Sequence, residues 1–153
     1  MPVRPGAPLA AITAPVPGSE CVQGVVAFYP PVDLPLLAKV PYNGIPGESA
    51  DSAVGRLLGC AMASCTQATL VSAAILARVD AKDPPMLLIH GDADTAVPID
   101  QSRRLDAALK AAGVPSALMV IPGANHVLPG LAAPKQREIL DRVWRFLDQQ
   151  SGR

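Results

Sequence analysis

The segment Pro84-Pro85-Met86-Leu87-Leu88-Ile89-His90-Gly91-Asp92-Ala93-Asp94-Thr95-Ala96-Val97-Pro98 decides the fold of this chain. Four consecutive apolar residues, from Met86 to Ile89, stand between a proline pair and a glycine and show no polar–apolar alternation. Such a run predicts a short strand that is buried on both faces, as in a parallel sheet. We expect Gly91 to end this strand, and the carboxylates Asp92 and Asp94 follow it. In open α/β sheets, ligands and chemistry collect at this carboxyl end of the strands.

A second apolar run, residues 117–121, is followed by Pro122-Gly123-Ala124-Asn125-His126. Because the carboxyl ends of neighbouring parallel strands meet at one edge of a sheet, we expect Asp94 and His126 to contact each other. A carboxylate bonded to one imidazole nitrogen fixes the tautomer and supports the imidazolium, which leaves the other nitrogen free to act as a general base. Asp94 and His126 are therefore the candidate catalytic residues.

Asp94 and the two histidines also have a purely structural interpretation. Asp94 would then cap a turn in its loop, and His126 would be a histidine on a surface loop. For His90, which ends the buried strand, we favour the structural interpretation, a buried histidine with its hydrogen bonds satisfied.

The composition is that of a globular protein. The chain has 153 residues, half of them hydrophobic, which predicts a single domain over residues 1–153 with its own core. The formal net charge is zero and the basic residues are scattered, which argues against nucleic acid or an anionic membrane surface as a partner. No apolar run approaches the roughly 20 residues of a membrane span. The N-terminus, interrupted by prolines, is a poor signal peptide, so a cytoplasmic location is our default expectation.

Three cysteines are present, Cys21, Cys60 and Cys65. The spacing of Cys60 and Cys65 fits either a small disulfide loop or two buried thiols, and we expect their Cα atoms to lie within bridging distance, below about 7 Å. No histidine or further cysteine lies near this pair in the sequence, so we predict no metal site. We predict no cofactor either.

Two further strands are predicted beside the 86–89 strand, at Val22–Tyr29 and at 117–121. Helices are expected at 9–12, 50–58, 66–77, 100–112 and 134–149, and residues 35–83 form a partly irregular excursion between strands. This order implies right-handed crossovers, and so an α/β fold of about three parallel strands with flanking helices. Val22–Tyr29 would be an exposed edge strand, which we expect to pair with another chain in a homo-oligomer or to be covered by residues 1–18.

With these residues in view, the chain resembles the C-terminal part of an α/β-hydrolase. It is most similar to the small esterases of the acetyl-esterase, feruloyl-esterase and dienelactone-hydrolase type. The similarity covers about residues 5–148, and its most specific part is the H-G-x-x-D-x-x-V-P pattern from His90 to Pro98, followed by P-G-x-x-H ending at His126. The resemblance implies a truncated α/β-hydrolase fold, hydrolysis of small or aryl esters, Asp94 as the triad acid and His126 as the triad base.

The sequence departs from this family at the nucleophile. Members carry G-x-S-x-G at a sharp strand-to-helix turn, and this chain contains no such motif. Alignment backwards from Val22–Tyr29 places Arg4 where the serine is expected. Ser64 is the preferred substitute, because the excursion that carries it is expected to fold over the site. The serines considered as substitutes by residue type are Ser19, Ser49, Ser52, Ser64, Ser72, Ser102 and Ser116.

Two functions follow from these observations. In the first, the chain is a carboxylic ester hydrolase with Asp94 and His126 as its acid–base pair, a small-molecule ester as its substrate, and a nucleophile that is missing or supplied from elsewhere. In the second, it is a catalytically inactive α/β module that acts as an assembly or binding unit through its edge strand.

Overall fold

The computed structural model describes residues 22–37, 50–61, 64–128 and 130–151. Its strands are β1 (Val25–Phe28), β2 (Met86–Gly91) and β3 (Ser116–Ile121). A 3₁₀ turn at Leu76–Arg78 precedes β2. The helices of the described residues are α1 (Leu34–Leu37), α2 (Ala50–Leu58), α3 (Gln67–Ser72), α4 (Asp100–Ala111) and α5 (Ala133–Ser151).

The three strands form one parallel sheet in the order β1-β2-β3. The central strand, β2, is buried from Leu87 to Gly91, and its side chains alternate between two cores. Leu87 and Ile89 pack with the apolar side of α5, whereas Leu88 packs with Leu105 and Leu109 of α4. One helix therefore covers each face of the sheet, which makes the predicted three-stranded α/β architecture correct. β1 pairs with β2 alone among the described strands, so it lies at an edge of the sheet.

Most element boundaries agree with the sequence predictions, and two differ by more than two residues. β1 covers Val25–Phe28 rather than 22–29, because the backbone turns at Tyr29, whose φ is 40°. Helix 66–77 is shorter than predicted: α3 ends at Ser72. No residue of α3 is buried, and a short helix without a packed face has little to stabilise further turns. The predicted helix at 9–12 and the covering role of residues 1–18 lie outside the described residues.

β2 ends at Gly91, as the sequence predicted, and the glycine itself is the last residue of the strand. The strand continues through His90 and Gly91, which pair with Val120 and Ile121 of β3. A glycine is needed at position 91 because the next loop passes directly over it. A Cβ atom there would lie 2.1 Å from the backbone oxygen of Ala124.

The predicted proximity of Cys60 and Cys65 is confirmed, and of the two interpretations left open the structure shows the disulfide. Cys60 and Cys65 are bridged, with their Cα atoms 5.3 Å apart, and the bridge closes the connection between α2 and α3. No helix within the described ranges is long and apolar enough to cross a bilayer. The same residues contain no cluster of three or more histidine, cysteine or acidic side chains placed to hold a metal ion.

Candidate active site

The loops that follow β2 and β3 are joined to each other by hydrogen bonds. The Asp92 carboxylate accepts from the backbone N–H of Gly123 at 2.6 Å, and the N–H of Ala93 donates to the carbonyl of Ala124 at 3.1 Å. These bonds continue the alignment of the two strands past their carboxyl ends. They place the residues that follow, Asp94 in one loop and His126 in the other, side by side.

A single side-chain oxygen holds the next part of the two loops together. Oδ1 of Asn125 accepts from the backbone N–H of Thr95 at 3.0 Å, from the Thr95 hydroxyl at 3.2 Å, and from the N–H of His126 at 2.7 Å. Asn125 therefore fixes the backbone on both sides of the Asp94–His126 contact. Nothing in the local sequence marks Asn125, because an asparagine two residues after a glycine is an ordinary turn residue.

The carboxylate of Asp94 has no exposed side-chain surface and is surrounded by hydrogen-bond donors. Oδ1 accepts from the N–H groups of Ala96 and Val97 at 2.9 and 2.8 Å, and Oδ2 accepts from Nδ1 of His126 at 2.8 Å. Burial acts to raise the pKa of Asp94. The hydrogen bonds from His90, Val97 and His126, together with the charge of His126, outweigh burial and lower the pKa to about 2. Asp94 is therefore an anion throughout the physiological range.

The contact with Asp94 fixes the protonation pattern of His126. An ionised carboxylate only accepts hydrogen bonds, so Nδ1 of His126 carries the hydrogen, and in the neutral imidazole Nε2 is the basic nitrogen. The His126 side chain is 32% exposed, while that of Asp94 is fully covered. Within the described residues, no side chain hydrogen-bonds to Nε2. The pair thus combines a buried anion with a base that solvent can reach.

His90 supports Asp94 from the interior. Its ring is fully buried at the end of β2, with Nε2 2.8 Å from the carbonyl of Val97 and 3.3 Å from Oδ2 of Asp94. A carbonyl only accepts, so Nε2 carries the hydrogen, and Nδ1 of the neutral ring accepts from the hydroxyl of Ser102, 2.7 Å away on α4. Both ring nitrogens are therefore satisfied, as the structural interpretation of His90 predicted. The contact of His90 with Asp94 was not anticipated.

Tyr29 is the other neighbour of the pair that the sequence did not reveal. It follows β1, and its ring centroid lies 4.5 Å from that of His126 and 6.4 Å from that of His90. Burial, and to a smaller extent the negative charge of Asp94, raise the pKa of the Tyr29 phenol above its ordinary value. Nothing in the local sequence marks this tyrosine, because its position depends on the turn at the end of β1.

The serines whose side chains are described are engaged away from His126. Ser102 is buried and bonded to His90, and the hydroxyl of Ser116 donates to the Asp106 carboxylate at 2.6 Å. The exposed hydroxyls of Ser64 and Ser72 donate to backbone carbonyls. Ser19 and Ser49 lie outside the described residues, as does the side chain of Ser52.

Fold and site geometry together define this chain as an α/β-hydrolase-type protein: a parallel sheet between helices, with a histidine and an aspartate joined where two neighbouring strands end. The BD-FAE family model matches residues 13–109, and the chain belongs to that family. The match includes Asp94 and ends before His126.

Two curated relatives carry hydrolase names. "Esterase LipQ" of Mycobacterium tuberculosis is 32% identical over 83 residues, which are 54% of this chain and 20% of the relative. "Uncharacterized peptidase YuxL" of Bacillus subtilis is 38% identical over 68 residues, which are 44% of this chain and 10% of the relative. The matched part of this chain thus spans one fifth or less of each relative's length.

Solved structures confirm the fold. A puromycin hydrolase superimposes with a TM-score of 0.68 over 88% of this chain and 19% of its own length, at 23% identity. The Est2 esterase of Thermogutta terrifontis gives a TM-score of 0.57 over 94% of this chain and 50% of its own length, at 20% identity. At these identities the likeness establishes the α/β-hydrolase fold alone.

Proposed function

We propose that this chain carries the acid–base part of a carboxylic ester hydrolase active site that acts on small or aryl esters. His126 is the general base, Asp94 orients it, and the nucleophile is supplied by a group not identified in this chain. The observation that carries the proposal is the 2.8 Å hydrogen bond between Nδ1 of His126 and the buried Asp94 carboxylate. The name of the M. tuberculosis relative supports esters as the substrate class.

The chemistry follows from the charges of the pair. When His126 Nε2 removes a proton from a nucleophilic hydroxyl or from water, the ring becomes an imidazolium next to Asp94. The Asp94 anion stabilises that charge without accepting the proton, since its pKa of about 2 lies far below that of an imidazolium. The deprotonated oxygen bonds to the carbonyl carbon of the ester, and the bond from that carbon to the alkoxide or phenoxide breaks. The imidazolium gives its proton to this departing group, which returns His126 to the neutral state.

An assay of ester hydrolysis by the full 153-residue chain tests the base. With 4-nitrophenyl acetate we expect the wild type to hydrolyse the ester slowly but faster than buffer. His126→Gln, which keeps the approximate size of the side chain but has no basic nitrogen, should lower this enzymatic rate on the order of 10²-fold. Asp94→Asn should lower the rate as well. Ser151→Ala, which removes a hydroxyl that donates to the backbone carbonyl of Asp148 at the end of α5, serves as the matched control and should leave the rate unchanged. An unchanged rate in His126→Gln would exclude the acid–base pair from the reaction.

A serine-directed fluorophosphonate tests where the nucleophile is. After labelling and peptide mapping, we expect no serine of this chain to be modified in a manner that depends on His126. A label on Ser64 that is lost in His126→Gln would instead place the nucleophile in the segment between α2 and α3.

A second candidate function is favoured by the position of β1. This strand has a neighbour on one side only among the described strands, which suits a module that assembles with another chain through its edge. Complete absence of hydrolysis by a folded protein, together with association through β1, would favour this function over the first.

A further inference from the structure

Backbone strain is concentrated around His126. Within the described ranges, the non-glycine residues with a positive φ are Tyr29 at 40°, Val127 at 62° and Leu128 at 51°. The first contacts the His126 ring, and the other two follow His126 directly in the chain. Positive φ values are unfavourable for residues with a Cβ, and they persist where the surrounding structure enforces them, frequently at active sites.

Tyr29 is in the least expected conformation of the three. It precedes Pro30, and the residue before a proline is restricted by the proline ring toward extended conformations with a negative φ. Two sets of contacts hold it in place instead. Its backbone N–H donates to the carbonyl of Ile89 at 2.9 Å, which continues the pairing of β1 with β2. Its ring packs against that of Phe28 in a T-shaped arrangement, with the centroids 6.0 Å apart, and against the His126 ring, with the centroids 4.5 Å apart.

We propose that Tyr29 is a positioning residue, whose ring holds the His126 imidazole in the orientation that keeps Nδ1 on Asp94. The inference rests on the function proposed above. His126 is partly exposed and lies in a loop, so its ring would otherwise be free to rotate about two side-chain torsions. The tilt of 56° between the rings and their 4.5 Å separation fall within the preferred range for aromatic pairs.

The same contact limits access of water to the hydrogen bond between His126 and Asp94. A hydrogen bond to a carboxylate is stronger when water is kept from competing for the donor and the acceptor. The elevated pKa of the Tyr29 phenol agrees with a neutral ring that is partly withdrawn from solvent and close to the Asp94 anion. We therefore expect Tyr29 to control the orientation of the His126 ring and to take no part in proton transfer.

Imidazole NMR on the full chain tests this proposal. The chain has only two histidines, so the missing signals of His126→Gln assign both rings in two-bond ¹H–¹⁵N spectra. In the wild type we expect the neutral His126 ring to be the Nδ1–H tautomer. In Tyr29→Phe, which keeps the ring, this pattern should persist. In Tyr29→Leu the nitrogen shifts should move toward a mixture of tautomers, and the Nδ1 proton should exchange about fivefold faster.

Each result decides a separate point. An unchanged tautomer and exchange rate in folded Tyr29→Leu would overturn the proposal, as would a Tyr29→Phe variant that behaves like Tyr29→Leu, because the hydroxyl would then be responsible. If Tyr29→Leu does not fold, Tyr29→Met, with its more flexible side chain, takes its place. A wild type without the Nδ1–H tautomer would remove the acid–base pair itself, and with it both the proposed function and the role of Tyr29.

Discussion

At the scale of the single residue, Asp94 is the group on which the site depends. It is a buried anion that is stabilised entirely by donors from its own loop, from His126 and from the interior residue His90. When one member of a buried, charged hydrogen-bond network is replaced, its former partners are left unsatisfied. This loss lowers the free energy of unfolding more than the loss of an exposed contact does. The difference in stability between the wild type and an Asp94 variant, followed as a function of pH, therefore reports on the ionisation of Asp94.

We expect Asp94→Asn to lower the free energy of unfolding by about 2 kcal/mol at pH 7. An asparagine keeps an oxygen for the N–H groups of Ala96 and Val97, but its amide nitrogen would face the hydrogens of His126 and His90. The folded pKa of about 2 lies below the ordinary value of 3.8, so the contribution of Asp94 is fully present above about pH 4 and is lost as the pH falls through about 2. Urea unfolding at pH 7, 4 and 2.5 should show the difference between the two proteins shrinking with falling pH.

The matched control for this experiment is Asp100→Asn. Asp100 is an exposed carboxylate paired with Arg103 at 3.1 Å, and such surface pairs contribute little. Its substitution should leave the pH dependence as in the wild type. A constant difference between Asp94→Asn and the wild type at all three pH values would contradict the assigned ionisation of Asp94.

The sequence predicted the contact between Asp94 and His126 because both lie in the loops that follow apolar strands. Their spacing along the chain, together with the parallel order of the strands, was enough to place Asp94 next to His126. The supporting residues depend on features that no local pattern encodes. Asn125 acts through the path of a loop, and Tyr29 through an unusual φ. Catalytic roles for Asp94 and His126 remain a prediction.

At the scale of the element, the close packing of β2 against the loop after β3 connects fold to site. The backbone of Gly91 packs against that of Ala124, and Ala124 stands two residues before His126 in the chain. The long helices α4 and α5 were predictable because each has an apolar side that packs on the sheet, whereas α3 has no buried residue and ends early. The end of β2 at Gly91 was predictable because glycine ordinarily weakens strands, but the sequence did not show that the missing side chain permits the approach of the loop.

We expect Gly91→Ala to destabilise the protein by about 1–3 kcal/mol and to displace His126. The new Cβ would overlap the backbone of Ala124, and backbone cannot rotate away as the end of a flexible side chain can. The displacement of the loop should lengthen the contact between His126 and Asp94. Chemical denaturation measures the first effect, and the imidazole nitrogen shifts of His126 measure the second.

Gly113→Ala separates loss of stability from loss of geometry. Gly113 follows α4 with a φ of 79°, and a Cβ there would meet no atom within 4 Å. Alanine at this position is strained by about 1–2 kcal/mol but touches nothing near the site. Gly113→Ala should therefore lower stability and leave the His126 signals unchanged. Unchanged His126 signals in Gly91→Ala would show that the loop after β3 does not depend on this packing.

At the scale of the whole molecule, the open edge of β1 is the main unsatisfied feature of the described fold. The N–H groups of Val25 and Tyr29 donate to β2, so the alternation of the strand directs the backbone groups of Val26 and Phe28 to the other side. No described strand pairs with that side. Unpaired backbone groups on an edge strand are a template for another chain, and the homo-oligomer expected from the sequence remains a prediction.

We predict that the chain forms a homodimer through β1. Phe28→Pro should raise the dissociation constant of this dimer at least about fivefold. Proline removes the outward N–H at position 28 and leaves the donors of Val25 and Tyr29 to β2 in place. Phe28→Leu is the matched control, because it also loses the aromatic ring but keeps the N–H. Sedimentation velocity over a wide concentration range should show dimers for the wild type and Phe28→Leu, and a shift toward monomer for Phe28→Pro.

Hydrogen exchange then identifies what lies on the edge. If a second chain pairs with β1, protection of the Val26 and Phe28 amides rises with protein concentration, because the partner must bind first. Protection that is strong and independent of concentration in a monomer would favour residues 1–18 as the cover, and deletion of those residues should then abolish it. Rapid exchange of both amides in a protein that stays monomeric at every concentration would contradict both forms of the prediction, since the edge would then be open to water.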